Sequence, residues 1–348
     1  MPLSCVYDSS ERWAAVDLFC GSGAVTEGLK QEGFDVIAAV DNDAVACKTY
    51  AMNHPEVQLY SQDIIRLSPH EIKKKLNGRK LDLLVVCAPC QPFSNQNRKK
   101  AQTDPRAQLI FESIKFAEAL CPDVIFFENV PGIIKAGLVE NLTASLWKLG
   151  YRLSAPLKVD AASLGVPQRR ERCILIAAKR KALVNKFGKG LPEKKSRTVF
   201  EAIGSLPSLM SGESSDDPLH RARNHHPITL ERLACIPKDG GSRHSLPPHL
   251  VLACHKGKHN DFPDVYGRLA WADVAPTLTT GCTDLTRGRF AHPRDDRALT
   301  LREAALLQTF PVNYKFFGNS GQVARQIGNA VPVDMVREIA AHIKRISV

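Results

Sequence analysis

Two side chains that could act as a nucleophile and an acid each follow a buried-looking apolar run. Cys90 stands in Ala88–Ser94, just after Leu81–Cys87, and Glu128 directly follows Val124–Phe127. Both runs read as central strands, and open α/β sheets carry their chemistry at the carboxyl ends of such strands. A thiolate is a strong nucleophile, and a protonated carboxyl group is a general acid. The sequence therefore predicts that the two groups face one pocket.

A glycine-containing turn earlier in the chain predicts a ligand site. Gly21 and Gly23 follow the first predicted strand and precede a helix, so the backbone can approach a ligand closely. Asp41, with its neighbour Asn42, ends the next strand, where a carboxylate can accept hydrogen bonds from a ribose. Proteins that bind NAD, FAD or S-adenosylmethionine share this pattern. The spacing Gly21-x-Gly23-x-x-x-x-Gly28 departs from the G-x-G-x-x-G fingerprint and disfavours a nicotinamide dehydrogenase.

The composition limits the class of protein. The chain has 348 residues, 44% of them hydrophobic, which is enough for two domains with buried cores. Its net charge of +11 favours a polyanionic partner without identifying it. The ten cysteines follow no disulfide framework and the first residues form no apolar leader, so we expect reduced thiols in a cytoplasmic protein. No apolar run is long enough to predict a membrane span.

Short apolar runs alternate with amphipathic ones from Trp13 to Lys179, a pattern typical of βαβ units and a mostly parallel sheet. The predicted strands are Ala14–Leu18, Asp35–Val40, Leu81–Cys87, Val124–Phe127 and Cys173–Ala177. The predicted helices are Val25–Glu32, Ala44–Asn53, Arg106–Leu120, Leu138–Leu149, Thr300–Leu307 and Val333–Ile346. After Lys179 the chain becomes rich in Lys, Pro, Gly and His, which indicates a linker into a loop-rich second domain.

Five ordered motifs resemble those of the DNA (cytosine-5)-methyltransferase family. They are Asp17–Gly23, Ala88–Ser94, Glu128–Pro131, Gly165–Arg172 and Gln326–Pro332. The resemblance extends from about Val16 to Pro332 and leaves one long unmatched interval. It implies an α/β fold with a Rossmann-like S-adenosylmethionine methyltransferase sheet in residues 1–182, completed by 316–348. A smaller loop-rich target-recognition domain is expected in residues 183–315.

The resemblance also implies how the cofactor is bound. The segment Asp17–Gly23 would surround the methionine part of S-adenosylmethionine, with Phe19 against the adenine. Asp63 matches the family's acidic group near the adenine amine, and Asn329 belongs to the motif that completes the pocket. The sequence departs from the family at Ala24, where a second glycine is usual, and at Asp41, where Glu is frequent. Both changes are mild.

For the reaction, the resemblance implies that Cys90 adds to C6 of cytosine, because C5 alone is too weak a nucleophile for a methyl sulfonium. Glu128 would act at N3 and would have to hold a proton near neutral pH. Gln168, Arg170 and Arg172 match the family's Gln-x-Arg-x-Arg pattern. If Arg170 and Arg172 share one face of a strand, one can reach O2 of the base and the other can hold a phosphate or Glu128.

Simpler roles compete with these. Cys90 could be a buried structural thiol or could pair with Cys87 in a redox or zinc C-x-x-C motif, although no second pair lies at zinc spacing. Glu128 could be an ordinary acid at a strand end, and the two arginines could form surface ion pairs. The co-occurrence of these residues in the family's order favours the catalytic interpretation, and no metal is expected.

A target base inside a duplex must be flipped out to reach Cys90. The polar, basic segment Ser94–Lys100 is predicted to close over it, and the family's recognition region corresponds to about Lys181–Tyr266. Candidate base or phosphate contacts are Arg221, Arg223, His225, His226, Lys256, Lys258 and His259. Cys254, His255 and His259 lack a fourth spaced ligand, which disfavours zinc.

The leading hypothesis is a bacterial-type, sequence-specific methyltransferase of double-stranded DNA that acts as a monomer and is of restriction-modification or orphan type. Only the restriction-modification type would have a cognate restriction endonuclease as a partner in the cell. Two alternatives stay open. A tRNA cytosine-5 methylase of the same family would keep the catalytic motifs, although its Cys-Phe-Thr signature is absent from the recognition region. A catalytically idle DNA-binding protein would not need Cys90, Glu128 and Arg172 together. These residues do not identify the DNA sequence that would be methylated.

Overall fold

The computed structural model describes residues 12–89, 105–256 and 263–347. Its main feature is a sheet of eight strands in these ranges. The strands are β1 (Ala14–Leu18), β2 (Asp35–Asp41), β3 (Gln58–Ser61), β4 (Leu83–Val86), β5 (Val124–Asn129), β6 (Arg152–Leu153), β7 (Leu157–Asp160) and β8 (Glu171–Ala178). They are ordered β3-β2-β1-β4-β5-β8-β6, and β7 pairs with β8.

The strands β1 to β5 run parallel to their neighbours, and β8 runs antiparallel to β5 and β6. Every residue of β1, β4 and β5 is buried. Central strands of a parallel sheet are covered on both faces, which is why they read as continuous apolar runs. In the hydrophobic core on one face of the sheet, strand residues such as Val16, Leu84 and Phe127 pack against helices.

Helices connect the strands and complete the chain. Their bounds are α1 (Ala24–Gln31), α2 (Ala44–Asn53), α3 (Pro69–Leu76), α4 (Ser113–Leu120), α5 (Leu138–Lys148), α6 (Lys181–Phe187), α7 (Val199–Ile203), α8 (Pro227–Cys235), α9 (Leu301–Leu307), α10 (Ser320–Asn329) and α11 (Val333–Ser347). Local chemistry fixes several starts: Asp43 caps α2, and capping boxes begin α7, α9 and α10. In the described ranges no helix has both the length and the apolar character needed to cross a bilayer.

The predicted elements are confirmed with shifted ends. The predicted helix Arg106–Leu120 was wrong in its first half, because Pro105–Glu112 forms a 3₁₀ helix and α4 begins only at Ser113. The strand predicted over Leu81–Cys87 is shorter, spanning Leu83–Val86. The sequence prediction missed β3, whose pattern at the sheet edge is half exposed and carries no continuous apolar run.

The chain divides into two compact units. The first contains the sheet, and its residues are Met1–Val159, Glu171–Pro192 and Val336–Val348; the second contains Asp160–Arg170 and Glu193–Met335. This division places residues 316–335 with the second unit, whereas the sequence prediction assigns 316–348 to the catalytic domain. Within that unit, Gln308 Nε2 donates to the carbonyl oxygens of Ile327, at 2.7 Å, and Ala330, which ties α10 to the end of α9.

Buried arginines organise the second unit, which has little regular structure. Arg268 is fully buried and donates to four backbone carbonyl groups, including those of Leu233 and Ile236. Arg297 is also fully buried and forms a bidentate ion pair with Glu303, with hydrogen bonds of 2.8 and 2.9 Å. It also donates a hydrogen bond of 2.9 Å to Asp295. Charge-assisted bonds of this kind satisfy carbonyl groups that no helix or sheet pairs.

Candidate active site

The candidate site lies at the carboxyl edge of the parallel strands. From β1 the sheet continues through β2 to β3, whereas from β4 it continues through β5 in the opposite direction. The connections that follow β1 and β4 therefore diverge and leave a crevice between them, which is where open α/β sheets bind ligands. Ala88 and Pro89 lead out of β4 into this region. The next residue, Cys90, lies outside the described residues, as does the predicted segment Ser94–Lys100.

The turn after β1 has the backbone conformation that glycine favours. Phe19, Gly21 and Gly23 all have positive φ, at 64°, 53° and 93°. The left-handed region is uncommon for a side chain like that of Phe19, which is half-buried against the core. A Cβ atom placed on Gly21 would meet no other atom of the described residues within 4 Å, so those residues leave space beside the turn.

Asp41 connects this turn to the end of β2. Its Oδ2 accepts a hydrogen bond from Gly21 N at 2.8 Å, and its Oδ1 accepts one from Asp43 N at 2.8 Å. Burial is the main cause that raises the pKa of Asp41, and these bonds oppose it. Each carboxylate oxygen can accept a second bond. Asp41 is thus both a structural brace and an available acceptor.

The other predicted cofactor residues differ in exposure. Asn42 is exposed beside Asp41. Asp63, after β3, is half-buried, and its Oδ1 accepts from Ile65 N at 3.0 Å, so part of its capacity folds its own turn. Asn329 is exposed at the end of α10 in the second unit. The strand ends of the first unit thus bring Asp41, Asn42 and Asp63 to the edge that carries the glycine turn.

A buried polar chain below the turn was missed from the sequence. Asp17 in β1 is fully buried, and its Oδ2 accepts from Thr26 Oγ1 at 2.9 Å. Thr26 Oγ1 shares a further hydrogen bond with Tyr50 Oη at 2.8 Å. Asp17 Oδ1 is buried without a hydrogen-bond partner in the described part of the chain. Burial raises the pKa of Asp17 to about 7. The sequence signal for this buried polar chain was the presence of an acid, Asp17, inside the apolar run Ala14–Leu18.

Glu128 and Arg172 form an ion pair at the ends of β5 and β8. Arg172 Nε lies 2.7 Å from Glu128 Oε1, and the two side chains are only 12% and 8% exposed. The antiparallel register pairs Glu128 with Ile174, which puts Arg172 on the diagonal position. Among the described residues Oε1 has no hydrogen-bond partner, so charge holds the pair rather than a directed N–H bond. The carboxyl group keeps hydrogen-bonding capacity for a ligand.

Asn129 connects this pair to the segment that carries Cys90. Its Nδ2 donates to the carbonyl oxygen of Ala88 at 3.2 Å, and its Oδ1 accepts from Val130 N at 2.9 Å. The side chain is buried. The end of β5 is therefore tethered to the residue two positions before Cys90, and the turn into Pro131 is fixed.

Arg170 makes contacts that the sequence did not predict. The strand β8 begins at Glu171, so Arg170 precedes it. Arg170 is buried in the second unit and donates to the carbonyl oxygens of Leu278, at 3.0 Å, and Gly328, at 2.9 Å. Gln168 is likewise fully buried and bonds Gln308 at 3.0 Å. Both side chains thus hold backbone and side chains within the second unit, whereas Arg172 reaches Glu128.

The candidate DNA contacts separate into two groups. Arg221, His226 and Lys256 are exposed, and Arg223 is exposed beside Asp284 at 3.6 Å. His225 is engaged in folding, because its Nε2 accepts from Ala298 N at 3.1 Å. Burial is the first cause that lowers its pKa.

Lys258 and His259 lie outside the described residues. No group of three His, Cys, Asp or Glu side chains within residues 12–89, 105–256 and 263–347 is placed to hold a metal ion. No disulfide is present among the cysteines of the same ranges.

Known structures have a similar fold. A DNA modification methyltransferase encoded within a prophage of E. coli aligns over 96% of this chain and 99% of its own, with a TM-score of 0.74 and 24% identity. DNMT2 of Spodoptera frugiperda aligns over 95% of this chain and 99% of its own, with a TM-score of 0.65 and 19% identity. These likenesses support a Rossmann-like methyltransferase fold, as the sequence predicted.

Sequence relatives identify the family. The type II methylase M.HgiDII of Herpetosiphon aurantiacus is 40% identical over 95% of both chains. The type II methyltransferase M1.HphI of Haemophilus parahaemolyticus is 31% identical over 93% of this chain and 85% of its own. The family model for C-5 cytosine-specific DNA methylase matches residues 13–345. Together with the site at the ends of β1, β4 and β5, this match places the chain in the C-5 cytosine-specific DNA methylase family.

Proposed function

We propose that this chain methylates C5 of cytosine within a specific sequence of duplex DNA, and that Cys90 and Glu128 act on a flipped-out base. S-adenosylmethionine is the methyl donor of the family. The observation that carries the proposal is the Glu128–Arg172 pair. A buried carboxyl group with an unbonded Oε1 is held 2.7 Å from its counter-ion at a strand end, and Asn129 ties that end to the Cys90 segment.

The residues at the carboxyl edge fit S-adenosylmethionine. The described residues leave room for a ligand against the backbone at Gly21, and Gly23, the N-cap of α1, provides no side-chain cap. Uncapped first-turn N–H groups favour a negative group such as the methionine carboxylate. Asp41 retains acceptor capacity for ribose hydroxyl groups. Phe19, Asn42, Asp63 and Asn329 remain proposed contacts. When bound, the cofactor supplies an electrophilic methyl group.

The chemistry follows from the roles of three side chains. The Cys90 thiolate adds to C6, and the electron pair of the C5–C6 bond moves to C5 as Glu128 donates a proton or hydrogen bond to N3. S-adenosylmethionine, held at the glycine turn and Asp41, would supply the methyl group to C5 and would keep the electron pair of the broken S–CH3 bond as S-adenosylhomocysteine. Loss of the C5 proton to a base or water returns the electrons, and Cys90 leaves. Arg172 acts through Glu128 and is a positioning residue, because it fixes the carboxyl group by charge.

We further propose that the second unit reads the target sequence. The exposed cations Arg221, Arg223 and Lys256 support this role, since phosphate and guanine contacts both require donors of this kind. Arg170 is proposed to position the Leu278 and Gly328 carbonyls rather than to touch the base. Relatives named as type II enzymes support a cognate endonuclease as cellular partner. We also propose that the protein acts as a monomer in the cytoplasm.

The test is methylation by wild-type protein and by Cys90→Ser. Wild-type protein should transfer tritium from labelled cofactor to duplex DNA and form a covalent adduct with DNA that contains 5-fluorocytosine. Cys90→Ser should bind S-adenosylmethionine normally yet transfer no methyl group, since a hydroxyl group is a far weaker nucleophile than a thiolate. A serine variant that turns over, or preferential labelling of tRNA by the wild type, would contradict the proposal.

A further inference from the structure

The helix α3 and the turn before it carry a cluster of exposed basic side chains in the first unit. We define the α3 basic patch as Arg66, His70, Lys73 and Lys74, all of which are exposed. The opposite side of the helix is buried through Ile72 and Leu76. Residues 70 and 74 are one turn apart and Lys73 flanks them, so the helical side chains project from the outer face. His70, Lys73 and Lys74 line a shallow concavity.

The patch lacks partners within the described part of the chain. None of Arg66, Lys73 and Lys74 has a carboxylate within 4.0 Å there, and no hydrogen bond from their side chains is formed to the described residues. Neighbouring cations behave differently: Arg79 pairs with Asp35, and Lys80 pairs with Asp123. The fold therefore neutralises the cations next to α3 and leaves those of the patch uncompensated.

Stabilisation of the helix dipole accounts for only part of the cluster. Cations in the last turn of a helix are favourable, and Lys73 and Lys74 occupy that turn. Arg66 precedes the helix, near the end where positive charge is unfavourable, and the first turn itself contains the acid Glu71. The helix dipole therefore accounts for Lys73 and Lys74 but not for Arg66. Repulsion between these exposed cations is screened by salt, and a polyanion would relieve what remains of it.

We propose that the α3 basic patch binds the phosphate backbone of duplex DNA outside the target sequence. The inference rests on DNA being the substrate. As the connection between β3 and β4, which belong to the same parallel sheet, α3 runs back from the carboxyl edge, so Lys73 and Lys74 lie away from the catalytic edge. Lys73 and Lys74 are sequence neighbours with long, flexible side chains, and phosphates of one strand are about 3.4 Å apart along the duplex axis. The patch can therefore contact two neighbouring phosphates.

Such contacts are non-specific and mediated by counterion release. Each neutralised phosphate contributes about 0.9 to the slope of log affinity against log salt concentration. The double variant Lys73→Gln/Lys74→Gln should therefore lower the magnitude of this slope by about 2 on a long duplex that carries the target with extended flanks. On a short duplex limited to the target, its slope and its methylation rate should equal those of the wild type.

The control variant is Lys80→Gln/Lys148→Gln, which removes the same formal charge. Lys80 is already paired with Asp123, and Lys148 lies on α5. Its slope on the long duplex should stay near that of the wild type, and all three proteins should unfold at the same urea concentration.

An unchanged slope for the patch variant would overturn the proposal. So would an equal loss on both duplexes, or an equal effect of the control. Binding is measured without turnover, so a wild-type protein that binds DNA but methylates no cytosine would refute the proposed function separately.

Discussion

Replacing Asp17 by Asn tests whether the acid under the cofactor turn is held with a proton. Asp17 is fully buried in β1, and no described cation pairs with it. Its Oδ2 accepts from Thr26 and its Oδ1 has no partner in the described residues. Burial raises its pKa from 3.8 to about 7, while the Thr26 bond acts in the opposite direction. Asn has nearly the same shape and cannot ionise.

The sign follows from proton binding. Between pH 4 and 7 the folded state holds a proton on Asp17 that the unfolded chain has lost, so wild-type stability falls as pH rises through this window. Each unit of pKa difference corresponds to about 1.4 kcal/mol. Between pH 5 and pH 8 the wild type should therefore lose up to roughly 3 kcal/mol through this group. Asp17→Asn lacks that loss, so between pH 5 and pH 8 the free energy of unfolding of the variant should rise by this amount relative to that of the wild type.

Urea unfolding of both proteins at pH 5 and pH 8 measures the difference. The control is Asp123→Asn, which changes a half-exposed acid that is already paired with Lys80. This substitution should change the free energy of unfolding by the same amount at both pH values, within a few tenths of a kcal/mol. The reasoning is refuted if the wild type and Asp17→Asn differ by the same free energy at both pH values. S-adenosylmethionine titration at pH 7 should give similar affinities, because the amide oxygen of the introduced asparagine can still accept from Thr26.

Three further predictions concern the site. Asp41→Ala should weaken S-adenosylmethionine binding by about 1–3 kcal/mol, because the ribose and the Gly21 amide lose an acceptor; calorimetry giving an unchanged Kd would make Asp41 a brace alone. Arg172→Ala should lower kcat about 100-fold with little change in KM, because the substitution leaves Glu128 buried without its counter-ion, and Arg172→Lys should restore part of the lost kcat. Single-turnover methylation measures both variants, and a change in KM alone would contradict the positioning role. Exchanging residues 181–266 for the matching interval of a relative should move the methylated sequence in bisulfite sequencing, and an active chimera that marks the original site would place recognition elsewhere.

Local pattern was sufficient for the central strands of the sheet. The strands β1, β4 and β5 are apolar throughout because both of their faces are covered, and Glu128 follows from being the first acid after such a run. The boundary of the second unit was not predictable in this way. The bonds from Gln308 to Ile327 and Ala330 join positions about 20 residues apart through buried side chains, which leave no periodic signal.

The contacts of the two arginines in the Gln-x-Arg-x-Arg segment were not predictable from the sequence. Spacing alone put Arg170 and Arg172 on one face of a strand. The start of β8 at Glu171 instead leaves Arg170 with the carbonyls of Leu278 and Gly328, more than 100 residues away in sequence. Likewise, His225 bonds to Ala298, and no local feature predicts that partner.

The sequence by itself determined the central strands of the sheet and the family, because burial on two faces and short motifs depend on consecutive residues. Tertiary structure alone decided which cation meets Glu128, that Asp17 is buried without a counter-ion among the described residues, and that the α3 cations remain unpaired there. Those properties depend on which groups from distant segments lie within a few ångströms, since burial and Coulomb energy are set by distance in space and not by position in the chain.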